Sequence, residues 1–195
     1  MASDQPSSKT VTDAIRLEAR RRPGGWVYVI DPYFDSNDRV PPHGIEGAWK
    51  VDNQGEVTGE FHHNPNYKPS PRTLGMPTPL DAVETALQLA ATGYGTDDMV
   101  NRALMESTVL IQASTQDHIT IFTDADGSYI NIFTNTERAT ESDHAEFSID
   151  FRSLSNTLPN DISVRINPGN AVTARVPIDR IRSLSEAIDH DDGES

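Results

Sequence analysis

Cysteine is absent from all 195 residues of the sequence. This absence excludes a disulfide framework, thiolate zinc ligation, iron–sulfur clusters and catalysis by a thiol. It also removes any reason to place the chain in an oxidising compartment, since disulfides are the usual mark of one.

Long apolar runs are also lacking. The first ten residues, MASDQPSSKT, are polar and contain no apolar core of a signal peptide. No stretch approaches the ~18 apolar residues that a membrane span needs. We therefore expect a cytoplasmic protein without direct membrane insertion, folded as one domain or two small ones.

Positive charge is scarce and unevenly spread. Lys and Arg together number 16 against 30 Asp and Glu, for a net charge of −14. Residues 1–25 carry +2, so the remainder of the chain carries −16. A body this acidic repels phosphate backbones and makes nucleic acid an unsuitable partner, whereas it suits a basic protein.

The usual linear signatures of catalysis and metal binding are missing. There is no P-loop, GxGxxG motif or nucleophile elbow. His62 and His63 are adjacent on a predicted strand and would point to opposite faces, so they do not form a chelating pair. Asp31, Asp35 and Asp38 lack the glycine and closing glutamate of a calcium loop. The sequence thus predicts no catalytic residue, no metal and no cofactor.

The first half of the chain predicts a small β-rich segment, residues 10–79, behind a disordered arm, residues 1–9. Alternation of polar and apolar residues around the turn residues DNQG is typical of a hairpin. The predicted elements are a helix from Thr10 or Thr12 to Arg22, a buried strand Trp26–Ile30, and a hairpin of strands Gly47–Val51 and Glu56–Phe61.

A proline-rich stretch, HHNPNYKPSPRTLGMPTP at residues 62–79, follows the hairpin. Its apolar side chains favour an ordered loop over a linker. Aromatic and arginine side chains on rigid loops are typical of protein interfaces. The alternative is that they fill a small core beneath the loop. The predicted protein-interaction residues are Asp31, Tyr33, Phe34, Asp35, Pro65, Tyr67, Pro69, Pro71 and Arg72.

The second half, residues 80–188, predicts an α+β domain, followed by a disordered acidic tail at residues 189–195. Residues 135–150 are polar, and we expect them to start with a short helix. The other predicted elements are helices at residues 80–92, 96–107 and 178–188, and strands Thr108–Gln112, His118–Thr123, Ser128–Thr134, Ile162–Ile166 and Ala171–Val176.

Several segments resemble the actinobacterial type VII secretion system-associated protein family. They are PGGWVYVIDPYFD (23–35), VPPHGIEGAWKVD (40–52), NPNYKPSPRTLGMPTP (64–79) and ALQLAATGYG (86–95). The second half resembles the N-terminal domain of the SseB-type, or enhanced-serine-sensitivity, family. The matching segments there are VNRALMESTVLIQ (100–112), NIFTN (131–135) and ISVRINPGNAVTARVPIDRI (162–181).

These resemblances imply an α+β fold with an antiparallel or mixed sheet, flanking helices, and the N-terminal hairpin segment packed on an SseB-like domain. They also imply a non-enzymatic accessory or adaptor that binds a type VII secretion component or substrate. Two alternatives stay open. One is an immunity protein that neutralises a basic exported toxin. The other is a small-molecule-binding protein or unrecognised enzyme that uses Asp31, Asp35 and His62 or His63.

Overall fold

The computed structural model describes residues 10–35, 39–115, 118–139 and 146–183. The chain divides into two compact units, Met1–Leu74 and Gly75–Ser195. The predicted α+β class is confirmed, because one unit contains an antiparallel sheet and the other a mixed sheet with helices. The predicted N-terminal arm and acidic tail lie outside the described residues.

Unit 1 consists of a helix and a three-stranded antiparallel sheet in the order β1-β2-β3. Thr12 caps the helix by accepting a hydrogen bond from the backbone N–H of Ile15 at 3.4 Å. The elements are α1 (Asp13–Ala19), β1 (Trp26–Ile30), β2 (Ile45–Val51) and β3 (Val57–His63), with a short 3-10 turn at Pro42–Gly44.

The predicted hairpin is confirmed as β2 and β3, and Asp52 organises its turn. The Asp52 carboxylate accepts hydrogen bonds from the backbone N–H groups of Gln54 at 2.9 Å and Glu56 at 2.8 Å. Gly55 adopts a left-handed conformation with φ of 82°, which glycine tolerates without steric cost. The local chemistry of DNQG therefore fixes where the chain reverses.

The core of unit 1 is small. Ala19 of α1 packs with Val27 and Val51 of the sheet, and all three side chains are buried. Trp49 is also buried, and its ring centroid lies 4.8 Å from that of Phe61. Because this core is small, side-chain hydrogen bonds are important for holding the loops of unit 1 in place.

Unit 2 carries helices beside a mixed sheet in the order β10-β9-β7-β4. Strand β8 pairs with β4, β6 forms a hairpin with β7, and β5 pairs with the end of β4. The β7–β9 pair is parallel. The elements are α2 (Ala82–Thr92), α3 (Asp97–Met105), β4 (Thr108–Thr115), β5 (His118–Ile119), β6 (Phe122–Asp124), β7 (Gly127–Phe133), β8 (Glu146–Asp150), α4 (Phe151–Thr157), β9 (Ser163–Ile166), β10 (Ala174–Pro177) and α5 (residues 178–183).

The core of unit 2 lies between the helices and one face of the sheet. Ile130 and Ile132 of β7 stand opposite Val164 and Ile166 of β9, and all four side chains are fully buried. The alternation of these residues along each strand directs them to the same face. Phe151 at the start of α4 is also fully buried in this cluster.

Two stretches of unit 2 differ from the prediction. The strand expected at residues 118–123 is divided, because β5 pairs with β4 whereas β6 pairs with β7. Residues 135–150 begin with the expected short helix, a 3-10 turn at Thr136–Arg138, but they also contain β8. That strand leads directly into α4, where Asp150 caps the helix by accepting from the Ser153 N–H at 2.8 Å.

The helices of the described residues are short. None combines the length and apolar character that a transmembrane span requires.

Candidate functional site

The centre of the predicted interaction surface is Asp31, at the end of β1, which is 1% exposed. Its Oδ2 atom accepts hydrogen bonds from the Tyr67 hydroxyl at 2.8 Å, the Ser70 N–H at 3.0 Å and the Thr73 hydroxyl at 3.0 Å. Its Oδ1 atom accepts from the Tyr33 N–H at 2.9 Å. We call these five residues the Asp31 cluster.

The donors of the cluster stabilise the ionised form of the carboxyl. Burial raises the pKa of Asp31, but hydrogen bonds from Ser70, Tyr33 and Tyr67 together hold that pKa below its ordinary value. A buried carboxylate with donors on both oxygens is an anchoring group, because breaking any contact would leave part of its charge unsatisfied.

Further hydrogen bonds hold the proline-rich segment in place. Asn64 donates to the carbonyls of Pro42 and Ile45, both at 2.7 Å. The Lys68 N–H donates to the His43 carbonyl at 3.0 Å. We call residues 64–74 the tethered loop. It lacks helix and strand, and these contacts replace the regular hydrogen bonds that would otherwise fix it.

The structure separates the nine predicted residues into anchors and exposed groups. Tyr33 is 48% exposed, and Leu74, which was expected to pack within the loop and is not among the nine, is 54% exposed. The surface therefore combines buried or partly buried side chains with exposed ones, and its role in protein interaction stays a prediction. Asp31 and Pro71 are buried, Phe34 and Tyr67 are partly buried, and Tyr33, Asp35, Pro65, Pro69 and Arg72 are exposed.

Phe34 and Tyr33 form the aromatic edge of this surface. Their ring centroids lie 5.2 Å apart in an edge-on arrangement. Phe34 packs over Gly44, where an added Cβ would lie 2.2 Å from a ring carbon of Phe34. Arg72 donates to the Pro32 carbonyl at 3.4 Å, which brings its guanidinium to the same turn. Gly44, Ser70 and Thr73 carry no linear signal that would have assigned them to this surface.

The histidine pair takes part in separate contacts. The Nε2 atom of His62 lies 2.6 Å from the Glu60 carboxylate, and its ring stands edge-on to Trp26. His63 contacts Phe61, with centroids 4.7 Å apart. Across the described part of the chain, no group of three or more His, Asp or Glu side chains is placed to hold a metal ion.

Unit 2 contains a second polar cluster around Glu84, in the first turn of α2. Glu84 is 2% exposed. Its carboxylate accepts one hydrogen bond from Nε of Arg138 and a second from Nη2 of Arg138, at 2.9 Å. The Leu80 N–H donates to the same carboxylate at 2.9 Å. The Arg138 guanidinium lowers the pKa of Glu84, and this outweighs the opposing effect of burial.

Asn167 joins this cluster from the loop after β9, where its Nδ2 donates to Oε1 of Glu84 at 3.5 Å. It adopts a left-handed conformation with φ of 48°, which asparagine tolerates better than most residues. Its side chain accepts from the Thr134 N–H at 2.9 Å and donates to the Thr134 hydroxyl at 3.0 Å. These contacts join the NIFTN and INPGN segments. The hydrogen bonds of the Glu84 cluster therefore connect α2 to the ends of β7 and β9.

A pocket of about 350 Å³ lies between α2, α3 and β10. Asn101 of α3 lies in its wall and is 3% exposed. Among the described residues, neither Nδ2 nor Oδ1 of Asn101 has a hydrogen-bond partner. Sequence reasoning missed this residue, because one asparagine in an amphipathic helix gives no signal. Apolar walls come from Leu87, Ala90, Val100, Leu104, Val172 and Val176, and charged groups from Asp97, Arg175 and Arg180.

The family model described as SseB protein N-terminal domain matches residues 83–183. The chain belongs to this family. Comparisons with curated proteins and with solved structures found no match. The SseB domain begins in α2 and ends in α5, so it contains the Glu84 cluster and the pocket but not the Asp31 cluster. The predicted SseB resemblance is confirmed, whereas the association with type VII secretion stays a prediction.

Proposed function

We propose that this protein is a cytoplasmic, non-enzymatic accessory that acts by binding another protein. We further propose that its partner is a component or a substrate of type VII secretion. The observation that carries the proposal is the Asp31 cluster. It fixes an irregular loop and leaves Tyr33, Arg72 and Leu74 on the outside of unit 1.

A loop fixed in advance favours binding. Ordering loops and side chains opposes association, so a surface that is already ordered in the free protein retains more of its contact energy. Tyrosine and arginine are also the residue types that carry most of the binding energy at interfaces. The tethered loop therefore supports a role in recognition better than a role as a spacer.

The chemistry of Asp31 supports an anchoring role over a catalytic one. Both of its oxygens accept hydrogen bonds from unit 1 itself, and its side chain is closed to solvent. His62 pairs instead with Glu60 on the sheet. A general base has to present a lone pair to substrate, and the burial of Asp31 with donors on both oxygens opposes that role.

The type VII assignment is supported by the sequence segments that build the surface. Segments 23–35 and 64–79 carry the resemblance to the secretion-associated family. The same segments supply Asp31 and Tyr33 on one side, and Tyr67, Ser70 and Thr73 on the other. The resemblance thus includes the residues that fix the loop.

A second candidate is an immunity protein for a basic exported toxin. The −16 charge of residues 26–195 favours it, because acidic surfaces steer basic partners. This function predicts one dominant partner, encoded by a neighbouring gene. The affinity for that partner should fall strongly as salt is added. The partner would be basic, and cells exposed to it would be protected by this protein.

Affinity purification of the tagged protein from its native host, followed by mass spectrometry, tests both candidates. The test variant is Tyr33→Ala/Arg72→Glu, which alters two exposed residues of the surface. The matched control is Tyr28→Ala/Arg20→Glu, which alters an exposed tyrosine and arginine elsewhere in unit 1.

A secretion component or substrate recovered with wild type and control, but lost with the test variant, supports the accessory function. Recovery of that protein with both variants would show that Tyr33 and Arg72 do not form the binding surface. Recovery of a single basic toxin, released by salt, would favour the immunity function instead. Failure to recover any specific protein would contradict both.

A further inference from the structure

Two arginines face each other on the sheet of unit 2. Arg165 of β9 stands directly opposite Arg175 of β10 in the antiparallel register. Val164 and Ile166, the neighbours of Arg165, are buried in the core, so the side chains of Arg165 and Arg175 lie on the other, outer face of the sheet. Like charges placed directly opposite on neighbouring strands destabilise a sheet. Other groups on this face must therefore offset the repulsion.

The ring of Tyr129, on β7, offsets part of it. The guanidinium carbon of Arg175 lies 4.7 Å from the centre of this ring, and that of Arg165 lies 5.1 Å from it. Both distances are within the range of a cation–π contact. Phe122 of β6 stacks on Tyr129, with ring centroids 5.5 Å apart. One aromatic ring thus holds both guanidinium groups within a small area of the outer face.

Asp124 forms an ion pair with only one of the two arginines. Nη1 of Arg175 donates to both oxygens of Asp124, at 2.8 and 2.9 Å. Arg165 forms no ion pair within the described part of the chain. Its Nη1 donates to the Tyr129 hydroxyl at 3.3 Å. Two guanidinium groups and one carboxylate leave this cluster with one positive charge in excess.

The excess positive charge is opposite in sign to the charge of unit 2 as a whole. Residues 75–195 contain 7 Arg and no Lys against 20 Asp and Glu, for a net charge of −13. Arg165, Arg175 and Tyr129 are all partly exposed, so an anion from solution can reach them. The cluster attracts such an anion locally, whereas the field of the whole unit opposes anions of high charge.

We propose that Arg165, Arg175 and Tyr129 form a binding site for a singly charged carboxylate. Arg165 donates two of its N–H groups to the two carboxylate oxygens, since its planar fork matches that geometry. The Tyr129 hydroxyl accepts from Arg165 and donates its own proton to the same carboxylate. Phosphate carries more charge and is disfavoured on so acidic a unit. The site is separate from the proposed function, because its residues lie in unit 2 and the tethered loop lies in unit 1.

Titrations of the full-length protein at neutral pH, followed by amide chemical shifts in NMR, test the proposal. Ionic strength is held constant with chloride. The probes are acetate, inorganic phosphate and two tripeptides with capped ends, Gly-Asp-Gly and Gly-Asn-Gly. Acetate and the aspartate peptide should bind saturably and shift resonances of β7, β9 and β10. The asparagine peptide should bind at least ~10-fold more weakly than the aspartate peptide, because its amide lacks the charge. Phosphate should bind more weakly than acetate.

The same titrations distinguish two sources of the carboxylate. Tighter binding of the aspartate peptide than of acetate would identify an acidic side chain of a peptide as the ligand. Binding of acetate at least as tight as that of the peptide would identify a free small acid.

Three variants assign the binding to this cluster. Arg165→Gln removes the guanidinium that has no ion pair and should weaken acetate at least ~10-fold. Tyr129→Phe keeps the ring and removes the hydroxyl, which should weaken acetate roughly 3-fold. Arg102→Gln is the matched control. Arg102 is an exposed arginine of the same unit, on α3, and its loss should leave binding unchanged.

Shifts that grow with acetate without saturating would overturn the proposal, as would equal effects of Arg165→Gln and Arg102→Gln. Binding of phosphate or of the asparagine peptide as tight as that of the carboxylate probes would also overturn it. If Arg165→Gln fails to fold, Arg165→Lys takes its place, because it keeps the charge and loses the fork. Acetate should bind that variant more weakly, and unchanged binding would contradict the site.

Discussion

Tyr67 donates its phenolic hydroxyl to the carboxylate of Asp31 at 2.8 Å, which joins residues 36 positions apart in the sequence. The contact connects the end of β1 to the middle of the tethered loop. Because that loop contains no helix or strand, its conformation depends on such side-chain contacts. Their loss should release the loop and weaken unit 1 without altering the β2–β3 hairpin, whose turn is fixed locally by Asp52.

Asp31→Ala removes the acceptor for four hydrogen bonds and should destabilise unit 1 by about 2–4 kcal/mol, the range for breaking a buried, charge-assisted network. Urea unfolding followed by tryptophan fluorescence measures this. Both tryptophans of the sequence, Trp26 and Trp49, lie in unit 1, so the signal reports that unit. Asp13→Ala, an exposed carboxylate at the start of α1, should cost less than about 1 kcal/mol. An equal loss in both variants would contradict the anchoring role.

Tyr67→Phe deletes one donor to Asp31 and keeps the ring. We expect a loss of about 1–2 kcal/mol in the same urea experiment, since a hydrogen bond to a buried charge is removed. Tyr28→Phe is the matched control, because Tyr28 is 54% exposed on the sheet of the same unit, and it should change stability little. In an Asp31→Ala background the two tyrosine variants should become indistinguishable. A persistent cost of Tyr67→Phe there would show that its hydroxyl acts elsewhere.

Unit 1 should lose stability in acid. The pKa of Asp31 in the folded protein lies below its ordinary value of 3.8. A lowered folded-state pKa gives stability that is fully present above the unfolded pKa and is lost as pH falls through the folded pKa. Urea titrations by tryptophan fluorescence should therefore show a decline that begins near about pH 4. Asp31→Asn should be less stable at neutral pH and show a flatter acid profile. Parallel profiles would exclude Asp31 as the titrating group.

Much of the fold could be predicted because its signals are local. Strand β1 is a five-residue run of aromatic and β-branched types, and it occupies Trp26–Ile30 as predicted. Helix α2 ends where Gly93 adopts a left-handed conformation, as the GYG sequence indicates. Each of these signals lies within a few residues of the structure that it determines.

Strand β8 and helix α4 were not predicted from the sequence. No glycine or proline separates them, and Asp150 serves both as the last residue of β8 and as the cap of α4. The strand pairs with β4, with Ile149 opposite Val109. The five residues of β8, EFSID, do alternate between polar and apolar types, but so short a signal beside a polar stretch is easily overlooked.

The functional residues were predicted unequally. Asp31 and Tyr67 carry recognisable side chains near turns, so residue type drew attention to them. Ser70 and Thr73 contribute as much to the same cluster, but a serine and a threonine in a proline-rich loop have no distinguishing pattern. Asn101 becomes conspicuous only when the structure shows its amide without a partner.

The Glu84–Arg138 ion pair provides the last prediction, for unit 2. Arg138→Met leaves the buried Glu84 carboxylate without its charge partner and should destabilise the unit by about 3 kcal/mol. Glu84→Leu should cost a similar amount, because the Arg138 guanidinium and the Leu80 N–H lose their acceptor. Hydrogen exchange of peptides from α2 and β7 measures this, since unit 2 contains no tryptophan.

The double variant Glu84→Leu/Arg138→Met distinguishes a specific pair from two independent losses. Removal of both charges leaves no unpaired ion, so its cost should be well below the sum of the single costs. Arg180→Met is the control, because Arg180 pairs with Asp97 where both side chains are more than half exposed. Exposed pairs contribute little, and exchange should hardly change. Additive single costs would instead show that Glu84 and Arg138 stabilise unit 2 through separate contacts, which would contradict a specific pair.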